Sequence, residues 1–151
     1  MNKHLDCTAI LIGKDATVDG STIIARNEDG YGPVGPKRFT VRPAKDTDHN
    51  LYRSQETGVK IPLPQHAYRY TCEPSAPANH QAYEEGGINE KNVAMSATET
   101  TYTNQRFLGC DPLVKHGVNE GCMLTVVLPY IDSAREGVKR LGKLIEKYGT
   151  G

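Results

Sequence analysis

Cys7 opens a short apolar, β-branched stretch at residues 8–12, and its thiol is a candidate nucleophile. Cysteine attacks as thiolate, and a free thiol titrates at about 8.5, so some base must take its proton. Cutting the bond between Asp6 and Cys7 gives Cys7 a free α-amine. Such an amine titrates at about 7.7–8.0, so a useful fraction is neutral near pH 7. It lies one residue's reach from the sulfur. Nucleophile and base are then one residue, and no histidine has to supply the base. The competing reading is a small hydrophobe buried at a strand start.

A second cluster follows at Arg26-Asn27-Glu28-Asp29. Arg26 offers a fixed positive charge, which favours a nearby thiolate. Asp29 can accept a hydrogen bond from an α-ammonium or a substrate amine. Read without Cys7, the same residues are an ordinary surface ion pair beside a Gly turn, worth ~0–1 kcal/mol. The other cysteines offer less. Cys7, Cys72, Cys110 and Cys122 form no Cys-x-x-Cys pair, which argues against structural zinc. Cys110, His116 and Cys122 are evenly spaced but lack a fourth ligand. His4 and His66 read as solvated surface residues.

The elements that position these groups come next. Residues 8–12 and 22–26 are strand-like, and Asp19-Gly20 between them is a turn signal, so the two form a hairpin that returns Arg26 and Asp29 toward Cys7. Residues 30–65 carry Gly30, Gly32, Pro33, Gly35 and Pro36, then many charges. Apart from a short strand at 39–42 they read as one long surface excursion. Residues 68–72 alternate as a strand does. Residues 83–88 and 93–98 are expected to pair across a tight turn at Asn89-Glu90-Lys91-Asn92. The one clear helix follows Ser133-Ala134-Arg135-Glu136, a capping box. Ile131, Ala134, Val138, Leu141, Ile145 and Tyr148 give it an apolar stripe, and Gly149 suits its C-terminal cap. Strands before a one-striped helix imply an α+β class, an antiparallel sheet covered by helix.

Composition narrows the partners. The chain has 151 residues, with 18 basic against 18 acidic side chains, 37% hydrophobic residues and no Trp. Its mean hydropathy is -0.55. Length fits one domain. Zero net charge argues against a nucleic-acid binder, and no apolar run approaches the ~18 residues of a membrane span. Residues 7–13 are barely long enough for the apolar part of a secretory signal and are followed by Lys14-Asp15, so they read as a strand. The expected compartment is the cytoplasm, where thiols stay reduced.

Taken together, the motifs resemble N-terminal-nucleophile hydrolases of the choloylglycine-hydrolase and penicillin-V-acylase type. They resemble most closely the bacterial dipeptidase A family of cysteine peptidases. The resemblance rests on Cys7-Thr8-Ala9-Ile10-Leu11-Ile12-Gly13-Lys14, on Asp19-Gly20-Ser21-Thr22-Ile23-Ile24-Ala25-Arg26-Asn27-Glu28-Asp29, on Gly86-Gly87-Ile88-Asn89-Glu90-Lys91-Asn92-Val93-Ala94-Met95-Ser96-Ala97-Thr98-Glu99, and on Ala134-Arg135-Glu136-Gly137.

The resemblance implies a four-layer αββα sandwich with a catalytic cysteine at the mature N-terminus. Residues 1–6 are then a short propeptide, removed by attack of the Cys7 thiol on the Asp6 carbonyl, and residues 7–151 the amino-terminal part of the hydrolase domain. Arg26 and Asp29 match positions that support the nucleophile and its amine. An oxyanion-hole Asn of the related acylases falls near Glu99. An ionised carboxylate cannot donate a hydrogen bond, so a backbone N–H is expected in that role. The implied reaction is hydrolysis of dipeptides with broad side-chain tolerance, without metal or cofactor. Glu28, Asp29 or Glu99 would face the substrate amine.

Two departures stand out. With Met1 in place the Cys7 nitrogen is an amide and no base. Family members are much longer, so an incomplete sandwich is expected, exposing a sheet face or helix stripe and favouring homo-oligomers. The alternatives are an acylase of larger acyl amides, or an inactive fragment that only associates.

Overall fold

The computed structural model describes residues 6–29, 35–76, 83–98 and 103–151. Strands β1 (Asp6–Ile12) and β2 (Ile23–Asp29) form the expected hairpin, paired antiparallel from Asp6 opposite Asp29 to Ile12 opposite Ile23. The connection holds a short 3-10 turn at Lys14–Ala16, an Asp19 carboxylate accepting from the Ser21 N–H at 3.0 Å, and Gly20 at φ 73°. That φ lies in the left-handed region a glycine adopts freely.

The expected strands at 39–42 and 68–72 are present as Thr40–Arg42 and Tyr70–Cys72, but residues 43–65 between them are not a surface excursion. Residues 40–72 form one long nested hairpin of six short strands: β3 (Thr40–Arg42), β4 (Lys45–Asp46), β5 (Leu51–Arg53), β6 (Lys60–Pro62), β7 (His66–Ala67) and β8 (Tyr70–Cys72). Pairing nests outward, β5 with β6, β4 with β7 and β3 with β8. The register slips by one residue between the inner pair and the other two, so the ribbon takes up one extra residue as a bulge does. At its tip the Ser54 hydroxyl accepts from the N–H groups of Glu56 and Thr57. Strands of two or three residues interrupted by Pro43, Pro62 and Pro64 give no alternating run, which is why the inner part of the arm reads as loop.

Strands β9 (Gly86–Ile88) and β10 (Ala94–Ser96) pair as expected, over a shorter length. β10 lies beside β2, and β9 beside β8. Gly87 is required at this seam, because a Cβ there would collide with the backbone oxygen of Thr71.

The turn after β9 is tied to the body by Asn89, which is 3% exposed. Its side-chain N–H groups donate to Leu128 O (2.8 Å) and Ile131 O (2.9 Å), and its oxygen accepts from the N–H groups of Lys91 and Val93 (3.0 Å each). An aspartate here has no donor for the two carbonyls and places a charge against them. Asn89→Asp is therefore expected to cost about 3 kcal/mol and lower Tm by about 10 °C. A melt within 2 °C of the parent protein would show that the amide is not the tie.

Three helices follow. The first, α1 (Gln105–Leu108), is a single turn capped by Asn104. The second, α2 (Glu120–Val127), runs into a 3-10 turn at Leu128–Tyr130. It is buried on nearly every side, so it has no apolar stripe for the sequence to show. Its Cys122, Leu124, Val126 and Val127 form the core with Val59, Ile61, Tyr70, Cys72, Val93, Val118, Leu128 and Ile131.

The third helix, α3 (Ala134–Tyr148), is the expected one. The Ser133 hydroxyl accepts from Glu136 N–H at 3.3 Å, while the Glu136 carboxylate reaches Asp132 N–H rather than Ser133. Gly149 ends the helix at φ 71°. The expected stripe holds at Ile131, Leu141 and Tyr148 but not at Ala134 or Val138. Val138 is 74% exposed and Ala134 is exposed, whereas Gly137 is buried, and Leu141, Leu144 and Tyr148 pack on the core. Gly137 permits this approach, since a Cβ there would sit 3.0 Å from Ile131 Cδ1.

The architecture is thus α+β. Ile10, Leu11, Ile23, Phe39, Val41 and Ile88 are left 40% exposed or more. No helix among the described residues is long and apolar enough to cross a membrane.

Candidate active site

The β1–β2 register sets the geometry. Cys7 stands opposite Glu28, and Ala9 opposite Arg26. Residues opposite each other in an antiparallel pair share a face, and neighbours along a strand alternate. Cys7, Arg26 and Glu28 therefore share one face, and Thr8, Asn27 and Asp29 the other. The burial of β2 follows this alternation, with Ile24, Arg26 and Glu28 half-buried and the residues between them exposed.

Arg26 reaches along its strand so that Nη2 donates to Cys7 Sγ at 2.8 Å. Its side chain is 9% exposed and is met by two carboxylates. Nη1 pairs with Glu85 Oε2, and Glu120 Oε1 lies 3.6 Å from Nη2. The side chains of Glu85 and Glu120 are each 7% exposed. Lys37 adds a second cation, 3.2 Å from Glu85 and 3.8 Å from Glu28, with its ammonium over the Tyr83 ring. Tyr83 in turn donates its hydroxyl to Glu120 at 3.3 Å.

Burial opposes the charge on Arg26, but Glu85, then Cys7 and Glu120, outweigh it and hold the guanidinium more firmly protonated than usual. Glu85 goes the other way for its charge: burial raises its carboxyl above the ordinary range, and Arg26 and Lys37 only partly offset that. The pair is asymmetric because Arg26 has three groups favouring its charge, whereas Glu85 has two cations set against desolvation.

The four thiols are all free, and burial separates them. Cys72 also lies near a guanidinium, that of Arg42. Its burial, and then Glu84, nevertheless push that thiol up to about 12. Burial likewise raises Cys122. Cys110 is exposed. Cys7 alone of the four combines partial exposure with a hydrogen-bonding guanidinium.

The expected site residues are thus only partly assembled. Arg26 meets the sulfur. Asp29 lies on the opposite face, where its Oδ2 accepts from the Thr8 hydroxyl at 2.5 Å. Glu99 and His4 lie outside the described residues. His66 is exposed and paired with Asp46 at 2.8 Å. Among the described residues, no three His, Cys, Asp or Glu side chains are grouped to hold a metal ion. A cleft of about 340 Å³ opens between β2 and the β8–β10 strands; its described lining includes Ile24, Arg26, Phe39 and Ser96 but not Cys7.

Sequence reasoning missed Glu85, Glu120 and Lys37. One local signal existed. The doublet Glu84-Glu85 directly precedes Gly86-Gly87 and a strand, where two adjacent acids in an otherwise sheltered segment call for cationic partners.

The profile of Peptidase family C69 matches residues 6–151. The chain is 51% identical over 144 residues to a probable dipeptidase of Latilactobacillus sakei, covering 95% of this chain and 30% of that protein. It is 48% identical over 157 residues to a dipeptidase of Bifidobacterium longum, covering 95% and 29%. It is 44% identical over 154 residues to dipeptidase A of Lactobacillus helveticus, covering 98% and 32%. The chain spans about 30% of the length of these curated relatives.

Proposed function

Because the chain belongs to peptidase family C69, we propose that it carries the nucleophile-bearing part of a cysteine-type dipeptidase, with Cys7 as nucleophile. The observation that carries this reading is the 2.8 Å hydrogen bond from Arg26 Nη2 to Cys7 Sγ on the neighbouring strand. The names of the relatives, dipeptidases in each case, supply the substrate class.

In this reading residues 1–6 are removed and residues 7–151 belong to the hydrolase domain. Cys7 then bears a free amine beside its thiol. The amine takes the thiol proton while sulfur attacks the dipeptide carbonyl, and Arg26 stabilises the sulfur anion. Collapse of the tetrahedral species returns that proton to the departing amino acid and leaves a thioester. Water, deprotonated by the same amine, attacks the thioester and releases the second product with the thiol restored. Positioned proton transfer of this kind gives ~10²–10⁴-fold.

Asp29 is proposed to act on the backbone side of the nucleophile. Its carboxylate anchors Thr8, the residue bonded to Cys7, and so orients the strand end that carries the amine. Oxyanion stabilisation falls to backbone N–H groups, worth ~10²–10³-fold for one donor. The β1–β2 pair and the strands beside it are assigned to one sheet of an αββα sandwich. The exposed apolar side chains Ile10, Leu11 and Phe39 support self-association. Free thiols throughout support a reducing compartment, the cytoplasm. Neutral net charge speaks against nucleic acid as partner.

The test is the mass of the purified protein combined with turnover. A mature N-terminus at Cys7, with cleavage of unblocked dipeptides lost on thiol alkylation, is the expected result. An intact Met1 with no cleavage overturns the enzyme reading. Faster cleavage of N-acyl amides than of dipeptides makes the protein an acylase.

A further inference from the structure

Resting on the reading of Cys7 and Arg26 above, we infer that Glu85 is a positioning residue for the Cys7 thiol, acting through the Arg26 guanidinium. The register creates the need. Arg26 stands opposite Ala9, two residues along the ribbon from Glu28 and Cys7. Its long side chain must run parallel to the strand to reach Sγ, and nothing in β2 itself holds it there. A guanidinium is a planar fork, so fixing one terminal nitrogen fixes where the other is presented. Glu85 holds Nη1, and Nη2 is thereby aimed at Cys7.

Glu85 is built for this task. Its backbone carbonyl accepts from Ala97 N–H at 2.9 Å, which fixes it at the entry to the β9–β10 pair. Its second oxygen is 3.2 Å from Lys37 Nζ. Its side chain is almost fully sheltered, so its attraction for Arg26 is little screened.

Glu120 supplies the competing pull. It lies 3.6 Å from Nη2, the same nitrogen that serves the sulfur. With Glu85 in place, the guanidinium is held from the far side and Nη2 stays on Cys7. Without it, Glu120 is the remaining buried carboxylate in contact, and it draws Nη2 away from the thiol. Glu85 thus affects the sulfur in a direction opposite to its own charge. A nearby anion by itself disfavours a thiolate, whereas an anion that keeps a cation in place favours one.

That opposition makes the inference testable on the 151-residue chain without turnover. The rate of iodoacetamide reaction at Cys7 is followed from pH 6 to 10 by mass spectrometry of the Cys7 peptide, with exposed Cys110 as internal reference. Glu85→Gln is expected to move the midpoint of the Cys7 profile up by about half to one unit, roughly 3–10-fold slower at pH 7. Glu85→Asp keeps the charge but shortens the reach, and it moves the midpoint the same way by a smaller amount. It also serves if the glutamine variant does not fold. Cys110 does not move in either.

A downward shift in Glu85→Gln means that Glu85 acts only as a neighbouring charge and overturns the inference. An unchanged profile in both variants means a merely structural role and overturns it too. Arg26→Gln separates this failure from that of the underlying reading. It is expected to slow Cys7 about tenfold at pH 7. If it does so while the Glu85 variants do not, only the role of Glu85 falls. If Arg26→Gln leaves Cys7 unchanged, the assignment of Arg26 falls as well.

Discussion

Replacing Cys7 by alanine is expected to abolish dipeptide cleavage, by on the order of 10⁴-fold or more. It is also expected to leave residues 1–6 attached. Both losses follow from one atom, because the proposed maturation and the proposed turnover each begin with attack by the Cys7 sulfur on a carbonyl. The control is drawn from the other thiols. Cys110 is exposed and takes no part in the Arg26 hydrogen bond, so Cys110→Ser is expected to retain full activity. Cys72 and Cys122 are buried with raised thiols and are expected not to react with alkylating agents at neutral pH. Measurement of kcat/KM on an unblocked dipeptide, with the intact mass of each variant, tests the set. Retention of even a tenth of the activity by Cys7→Ala would place the nucleophile elsewhere.

Glu84→Ala is expected to destabilise the fold strongly, by about as much as Asn89→Asp. The Glu84 side chain is 2% exposed, and its two oxygens are shared among three elements. Oε1 accepts from Arg42 Nε (2.9 Å) and Nη2 (2.8 Å) on β3. Oε2 accepts from the Tyr70 hydroxyl (2.8 Å) on β8 and the Thr125 hydroxyl (3.0 Å) on α2. Removing the carboxylate strands the buried Tyr70 hydroxyl and leaves a cavity where the outer end of the long hairpin meets the core helix. Arg42 is 41% exposed and can turn to water, which moderates the loss. The cost is then about 3 kcal/mol, near the lower end for breaking a buried pair. Against a total stability of roughly 5–15 kcal/mol, much of the margin disappears. Urea denaturation is the measurement, and a midpoint equal to the parent's would show that these contacts carry no net weight. Burial, and then Glu84, also raise the Tyr70 phenol, so tyrosine 70 stays neutral through the usual range.

The sequence displays some of this arrangement and conceals the rest for identifiable reasons. The β1–β2 hairpin is legible because its strands are β-branched and Asp19-Gly20 marks the turn, and that hairpin brings Arg26 to Cys7. Which face a side chain takes depends on register, and a shift of one residue reverses it. Asp29 therefore falls on the face away from the sulfur although it is close in sequence to Arg26. The outer strands of the long hairpin, at 40–42 and 70–72, are legible, but the inner four escape notice because each is too short to alternate. Helix α2 escapes because a helix buried all round has no periodic face. In α3 the close contact is made by Gly137, which has no apolar side chain to count, and so the expected stripe lands on exposed Val138. The carboxylates around Arg26 lie about 60 and 94 residues further on, a separation over which ion pairing leaves no local pattern.

That separation bears on the order of events during synthesis. A ribosome releases Cys7 and Arg26 early, as parts of one hairpin, while Glu85 and Glu120 have yet to be translated. On the proposed reading, the nascent thiol is thus without the carboxylate that steadies its cationic partner until Glu85 has been made. In that reading the fully supported arrangement at Cys7 arises only after the chain has been made as far as the β9–β10 strands, well after the hairpin that carries the thiol.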